Sequence, residues 1–236
     1  MEKIGFIGAY DKSDLIIYVA KILQLLNYKV MVIDTTLLQK TKYIVPSINP
    51  TKSYITSFED IDFAIGFKNW DDIEKYLGIK FDTNEEETKK DTKGLFDYIL
   101  IDIDSQDGLE RFGIDELEEK YFVTSFDMYS LRRGIRIFES LDVPIKLTKI
   151  LFSYESSQIE EEQLNYASLG YKIEWNDFTI YFPISDEDNK VMQENQRFEK
   201  IRFKRLSNSY KESLAYIIQD IDKSQNLSKI RKTMKD

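Results

Sequence analysis

Residues 3–36 read KIGFIGAYDKSDLIIYVAKILQLLNYKVMVIDTT, and their order decides the fold. Lys3–Gly8 is a short apolar run without clean alternation, as in a strand buried on both faces. Asp11, Ser13 or Asp14 can cap the helix that follows. Within that helix Leu15, Val19, Ile22, Leu23 and Leu26 keep one face apolar, and Asn27 is a natural end. Lys29–Asp34, KVMVID, is a second buried strand. A strand, a helix and a strand with short joins make a right-handed βαβ unit on a parallel sheet.

The rest of the chain continues the alternation. Strands are expected at Tyr54–Thr56, Phe63–Phe67, Leu95–Asp104, Tyr121–Ser125, Ile145–Phe152 and Phe178–Phe182. Helices are expected at Asn69–Leu77, Phe126–Leu141, Ile159–Leu169, Glu187–Glu194 and Ser209–Ile221. Pro46 and Pro50 exclude a long regular element between Leu37 and Phe67. Gly108 and Gly113 punctuate a turn, and the polar stretch Thr83–Lys93 reads as a surface loop. The pattern is that of a doubly wound α/β fold, with a mostly parallel sheet and helices on both faces. Residues 1–222 are read as one domain and 223–236 as a polar, basic tail. In that tail Leu227, Ile230 and Met234 share one helical side among Lys229, Arg231, Lys232 and Lys235. Three apolar residues are too few to hold a membrane, so the expectation is a frayed end.

Composition excludes several chemistries. The 236 residues contain no cysteine and no histidine, which removes disulfides, thiolate or imidazole metal sites, and Ser-His-Asp or cysteine nucleophiles. Hydrophobic residues are 42% of the chain, enough for a core, and no apolar run approaches the roughly 20 residues of a membrane span. The N-terminus enters a strand directly, without the pattern of a signal peptide, so a cytoplasmic protein is expected. A net charge of −9 disfavours DNA as a partner.

The loop after the first strand stands where a phosphate-binding loop, G-x-x-x-x-G-K-[ST], stands between strand and helix. Gly8 holds the first glycine position, and Asp11-Lys12-Ser13 holds the place of Gly-Lys-Ser/Thr. Gly8 and Lys12 are four residues apart where the motif has six, and an acid replaces the second glycine. A carboxylate at Asp11 is expected to face and repel phosphate, and Asp14 competes for the N–H groups of the helix start. Asp34, Asp102 and Asp104 end strands whose carboxyl edge carries ligand sites in such sheets. Lys149, Arg132 and Arg133 are read as solvated surface charges.

In this arrangement the chain resembles the MinD/ParA group of deviant P-loop ATPases. Residues 32–36, VIDTT, are similar to the family's IDxDxQ segment: Asp34 matches its first Asp, while Thr36 replaces the second, which helps position the attacking water. Residues 96–102, FDYILID, resemble its Walker B strand, with Asp102 as the magnesium-side carboxylate. Val123-Thr124-Ser125 through Ser130-Leu131-Arg132 and Gly134 resembles VVTxP…SLRG, and Phe182-Pro183-Ile184-Ser185-Asp186 resembles the late IPxD segment. The likeness spans nearly the whole length. The departures fall on catalysis: the double glycine, the signature lysine, one switch carboxylate and the base-side Asn are missing.

The resemblance implies a P-loop NTPase-like fold. It places any ATP or ADP at Gly8, Asp11, Lys12, Ser13, Asp14 and Asp34, and any magnesium at Ser13, Asp34 and Asp102. It implies a dimer with itself or a related ATPase, within a protein assembly. The departures imply a pseudo-ATPase scaffold or localisation protein with hydrolysis lost or feeble. The alternative is an atypical, active Mg-ATPase with a shortened loop.

Overall fold

The first strand lies in the middle of the sheet. The computed structural model describes residues 1–46, 53–79, 95–154 and 158–235. Its strands are β1 (Glu2–Ile7), β2 (Val30–Asp34), β3 (Tyr54–Phe58), β4 (Ile61–Ile65), β5 (Tyr98–Ile103), β6 (Glu119–Ser125), β7 (Ile145–Ser153) and β8 (Ile173–Pro183). They form one eight-stranded sheet in the order β3-β4-β2-β5-β1-β6-β7-β8. Every neighbouring pair is parallel except β3 and β4, a hairpin turned through Glu59 and Asp60, both at positive φ.

The helices are α1 (Ser13–Leu25), α2 (Thr41–Ile44), α3 (Trp70–Leu77), α4 (Gln106–Phe112), α5 (Met128–Arg136), α6 (Gln158–Ala167), α7 (Asp186–Arg197), α8 (Asn208–Ile221) and α9 (Leu227–Thr233). One apolar layer joins α1, α7, α8 and α9 to one face of the sheet. The other joins α3, α4, α5 and α6 to the opposite face. The doubly wound α/β fold is therefore as read. Burial on both faces explains why β2 and β5 appear in the sequence as unbroken apolar runs.

Some elements differ from their sequence reading. The strand expected at Phe178–Phe182 runs from Ile173 to Pro183, with extra residues looped out opposite Leu147–Lys149. The irregularity breaks the alternation that would have announced its first half. Gly108 lies inside α4, which Ser105 caps at the backbone N–H of Gly108, and Gly113 ends it. Lys149 is not solvated: it is 4% exposed and pairs with Glu161 at 2.6 Å. The expected frayed tail is also corrected. Asn226 caps α9, and Ile230 and Met234 are buried in the main core. Tyr28 Oη donates to Asp222 Oδ2 at 2.5 Å, fixing the chain where it enters this last helix. The stretch Thr83–Lys93 lies outside the described residues.

Candidate functional site: the loop after the first strand

β1 has β5 on one side and β6 on the other, so its C-terminal loop opens where the winding reverses direction. That is the position at which open α/β sheets bind ligands. Gly8 makes the exit possible: a Cβ there would lie 2.0 Å from the carbonyl oxygen of Val123 in β6. Gly134 allows α5 to close on the same loop, since a Cβ there would sit 3.0 Å from Phe122 Cζ and 3.5 Å from Ala9 N.

Lys12 begins α1 and turns inward, 2% exposed. Its Nζ donates to the carbonyl oxygen of Gly8 at 2.8 Å. The same Nζ lies 2.7 Å from Asp102 Oδ1, in a pair whose side chains are 1% and 3% exposed. The approach to Oδ1 is off the hydrogen-bonding direction, so Oδ1 is held by charge and makes no directed hydrogen bond. Burial pushes the Asp102 carboxyl up to about 7; Lys12 opposes that shift and Asp34 adds to it.

Asp34 and Asp102 are register partners on β2 and β5. Asp34 is nonetheless engaged elsewhere. Its Oδ1 accepts from Thr36 N at 3.0 Å and Thr36 Oγ1 at 2.6 Å, and its Oδ2 accepts from Thr41 N at 3.0 Å. The carboxylate thus closes the turn after β2 and holds the start of α2. Asp104 accepts Leu37 N, 3.2 Å from each carboxylate oxygen, and burial raises its pKa. Ser13 is buried, its N–H donating to Asp11 Oδ1 at 3.2 Å. Among the described residues no group of three or more carboxylates is placed to hold a metal ion.

Asp11 is engaged on both carboxylate oxygens, Oδ1 by Ser13 N within the loop and Oδ2 by Lys40 beside it. It is exposed and pairs with Lys40. Partial burial would raise its carboxyl, but the Lys40 ammonium outweighs that and lowers its pKa. Asp14 accepts Gln196 Nε2 at 2.8 Å and lies 3.9 Å from Lys40 Nζ; burial nonetheless raises its pKa. Lys40 and Gln196 were not found from the sequence. Lys40 belongs to a stretch without periodicity, and Gln196 is one of several polar residues on α7.

Beside the loop is a cleft of about 470 Å³ with Tyr10, Phe152, Met192 and Tyr210 on its walls. Asp11, Asp14 and Asp188 also line it. Asp188 is 2% exposed and holds Ser207 through its backbone N at 2.6 Å and its hydroxyl at 2.7 Å.

Solved structures carry the same architecture. The chain is similar to a ParA family ATPase of Chlorobium tepidum, at 15% identity over 98% of this chain and 96% of that one, with a TM-score of 0.53. It is similar to a variant of McdA from Cyanothece in complex with ATP, at 10% identity over 96% and 98%, with a TM-score of 0.58. The chain has a MinD/ParA-like fold. MinD of Aquifex aeolicus, solved in a complex with MinC, matches at 15% identity over 82% and 86%, with a TM-score of 0.52. No family model matches the sequence, and no curated protein does.

In this MinD/ParA-like loop the groups that would meet a nucleoside triphosphate and magnesium are engaged within the chain. The lysine that would meet phosphate is buried against Gly8 O and Asp102. Asp34 is closed over its own turn, and the adjoining cleft carries Asp11, Asp14 and Asp188 with Lys40 between the first two.

Proposed function

We propose that this chain is a MinD/ParA-like partition or positioning protein that acts as a scaffold, with nucleotide hydrolysis lost or feeble. One observation carries the reading: the Lys12 ammonium is held at 2.8 Å by Gly8 O and at 2.7 Å by the buried Asp102. A cation in that position stabilises the loop from inside. To meet a phosphate it would have to leave Asp102, stranding a carboxylate that is 2% exposed. Breaking a buried pair in that way costs on the order of 3–5 kcal/mol. A bound triphosphate would have to supply that as well as its own desolvation.

On this reading the chain works as a dimer, with itself or with a related ATPase, inside a larger protein assembly. A neighbour of the same fold is the precedent for a protein partner: MinD was solved in a complex with MinC. Calorimetry with ATP and magnesium tests the proposal. No heat at millimolar ATP is expected. Micromolar binding that Lys12→Ala abolishes would overturn it.

A second reading, an atypical ATPase, draws on the cleft beside the loop. The half-buried Tyr10 on its wall could stack a base. The same titration decides, because that reading requires binding that depends on Lys12.

A further inference from the structure

A different surface names a partner chemistry. Between the start of α4 and the exposed side of α5 lies a cleft of about 510 Å³ lined by Arg132, Arg133 and Arg136. In a chain of net charge −9, these guanidiniums share one wall of one cleft. The carboxylates nearby are already engaged. Asp107 pairs with Arg111 at 2.8 Å, and Glu110 accepts from Gln106 Nε2 at 2.8 Å and Ser140 Oγ at 3.2 Å. Asp104 also lines the cleft and feels the charge of Arg133, but its carboxylate holds the backbone of Leu37. Arg136 has Glu139 at 3.6 Å, but neither Arg132 nor Arg133 makes an ion pair among the described residues. Arg133 lies over the ring of Tyr129 at 5.9 Å. Tyr129 and its neighbour Met128 are 65% and 53% exposed, although Leu131 and Ile135 of the same helix are buried. Exposed Tyr, Met and Arg side by side are the composition of an interface core, where the aromatic supplies area and the guanidinium supplies directed donors.

We propose that the Arg132–Arg133–Arg136 cleft, lined also by Tyr129 and with the exposed Met128 next to it in sequence, docks an acidic segment of a partner protein in which carboxylates alternate with apolar side chains. The guanidiniums would take carboxylates in paired hydrogen bonds, and Tyr129 and Met128 would take the apolar positions. The occupant is another protein rather than a second copy of this chain. A two-fold pairing through this face would set the arginines against themselves. The site uses neither Lys12 nor the loop, so the proposal goes beyond the scaffold reading. It survives if that reading fails by binding ATP.

The test is fluorescence anisotropy of the full chain with a labelled peptide alternating Glu with Leu. Binding is expected, weakening as salt is raised. It should fall about tenfold or more in Arg132→Glu/Arg133→Glu. It should be unchanged in Lys190→Glu, an exposed residue of α7 on the other side of the sheet. A peptide with Lys in place of Glu should not bind. Absence of binding, or an equal loss in Lys190→Glu, overturns the proposal. Competition by inorganic pyrophosphate at the peptide's own concentration reassigns the cleft to phosphate. Self-association by light scattering that the arginine substitutions abolish reassigns it to a second copy. Either result overturns the peptide assignment. Circular dichroism of each variant separates loss of binding from loss of fold.

Discussion

Lys12 and Asp102 stabilise each other only as a pair. Lys12→Met would leave the Asp102 carboxyl, 2% exposed, without its counter-charge, at a cost of about 3–5 kcal/mol above about pH 7, where it is ionised. Adding Asp102→Asn should recover most of that, because the pair is then replaced by groups that need no counter-charge. Urea unfolding of the singles and the double measures this coupling; additive losses would mean the two do not form a unit. The same carboxyl gives a pH signature. Its folded pKa is raised to about 7, above the ordinary Asp value of about 3.9. A raised carboxyl binds its proton more tightly in the folded state. Its contribution is therefore full below about pH 4 and is lost as pH rises towards 7. Wild type should lose stability across that window relative to Asp102→Asn, and the difference should level off above it. Gly8→Ala is a separate expectation. The new Cβ would sit 2.0 Å from Val123 O, and φ at Gly8 is +153°, so a loss of about 3 kcal/mol is expected in the same assay.

At the scale of elements, α9 shows what the sequence hides. Its apolar side chains, Leu227, Ile230 and Met234, were read as the weak face of a loose end. Ile230 is fully buried and Met234 is 2% exposed. Ile230→Ala should therefore cost about 2–4 kcal/mol in thermal or urea unfolding. A cost near zero would mean that the helix is loosely attached. The strands of the centre were legible because burial on both faces leaves no choice but an apolar run, as in KVMVID and YILID. The start of α3 was legible because an Asn there caps locally: Asn69 accepts from Asp72 N at 2.9 Å. What the loop's residues do was less legible. Sequence placed Asp34 and Asp102 at neighbouring strand ends, and they are register partners. It could not say that Asp34 turns back to Thr36 and Thr41, or that Asp11 pairs with Lys40. Those choices depend on residues 35–41, which have no period to read.

Among the described residues, acids gather at the N-terminal ends of β1 and β6 and three arginines on α5. At the N-terminal edge of the sheet, Glu2, Glu119 and Asp220 crowd together; burial, then neighbouring acids, raise the pKa of Glu2 and Glu119. The arginines of α5 lie in the cleft beside α4, away from that edge. Non-specific DNA binding requires several phosphates to be met at once by a continuous basic face, each contact releasing a counterion. A net charge of −9 with an acidic edge opposes the approach of a polyanion, and the cleft's three arginines are too few to track a duplex. The expectation is no retardation of a random duplex at about 0.15 M salt. Lowering the salt should recover at most weak binding, removed by Arg132→Glu/Arg133→Glu. A steep salt dependence at physiological ionic strength, of the size expected when six or more phosphates are neutralised, would refute this assignment of charge. The partner would then have to be sought among nucleic acids rather than acidic proteins.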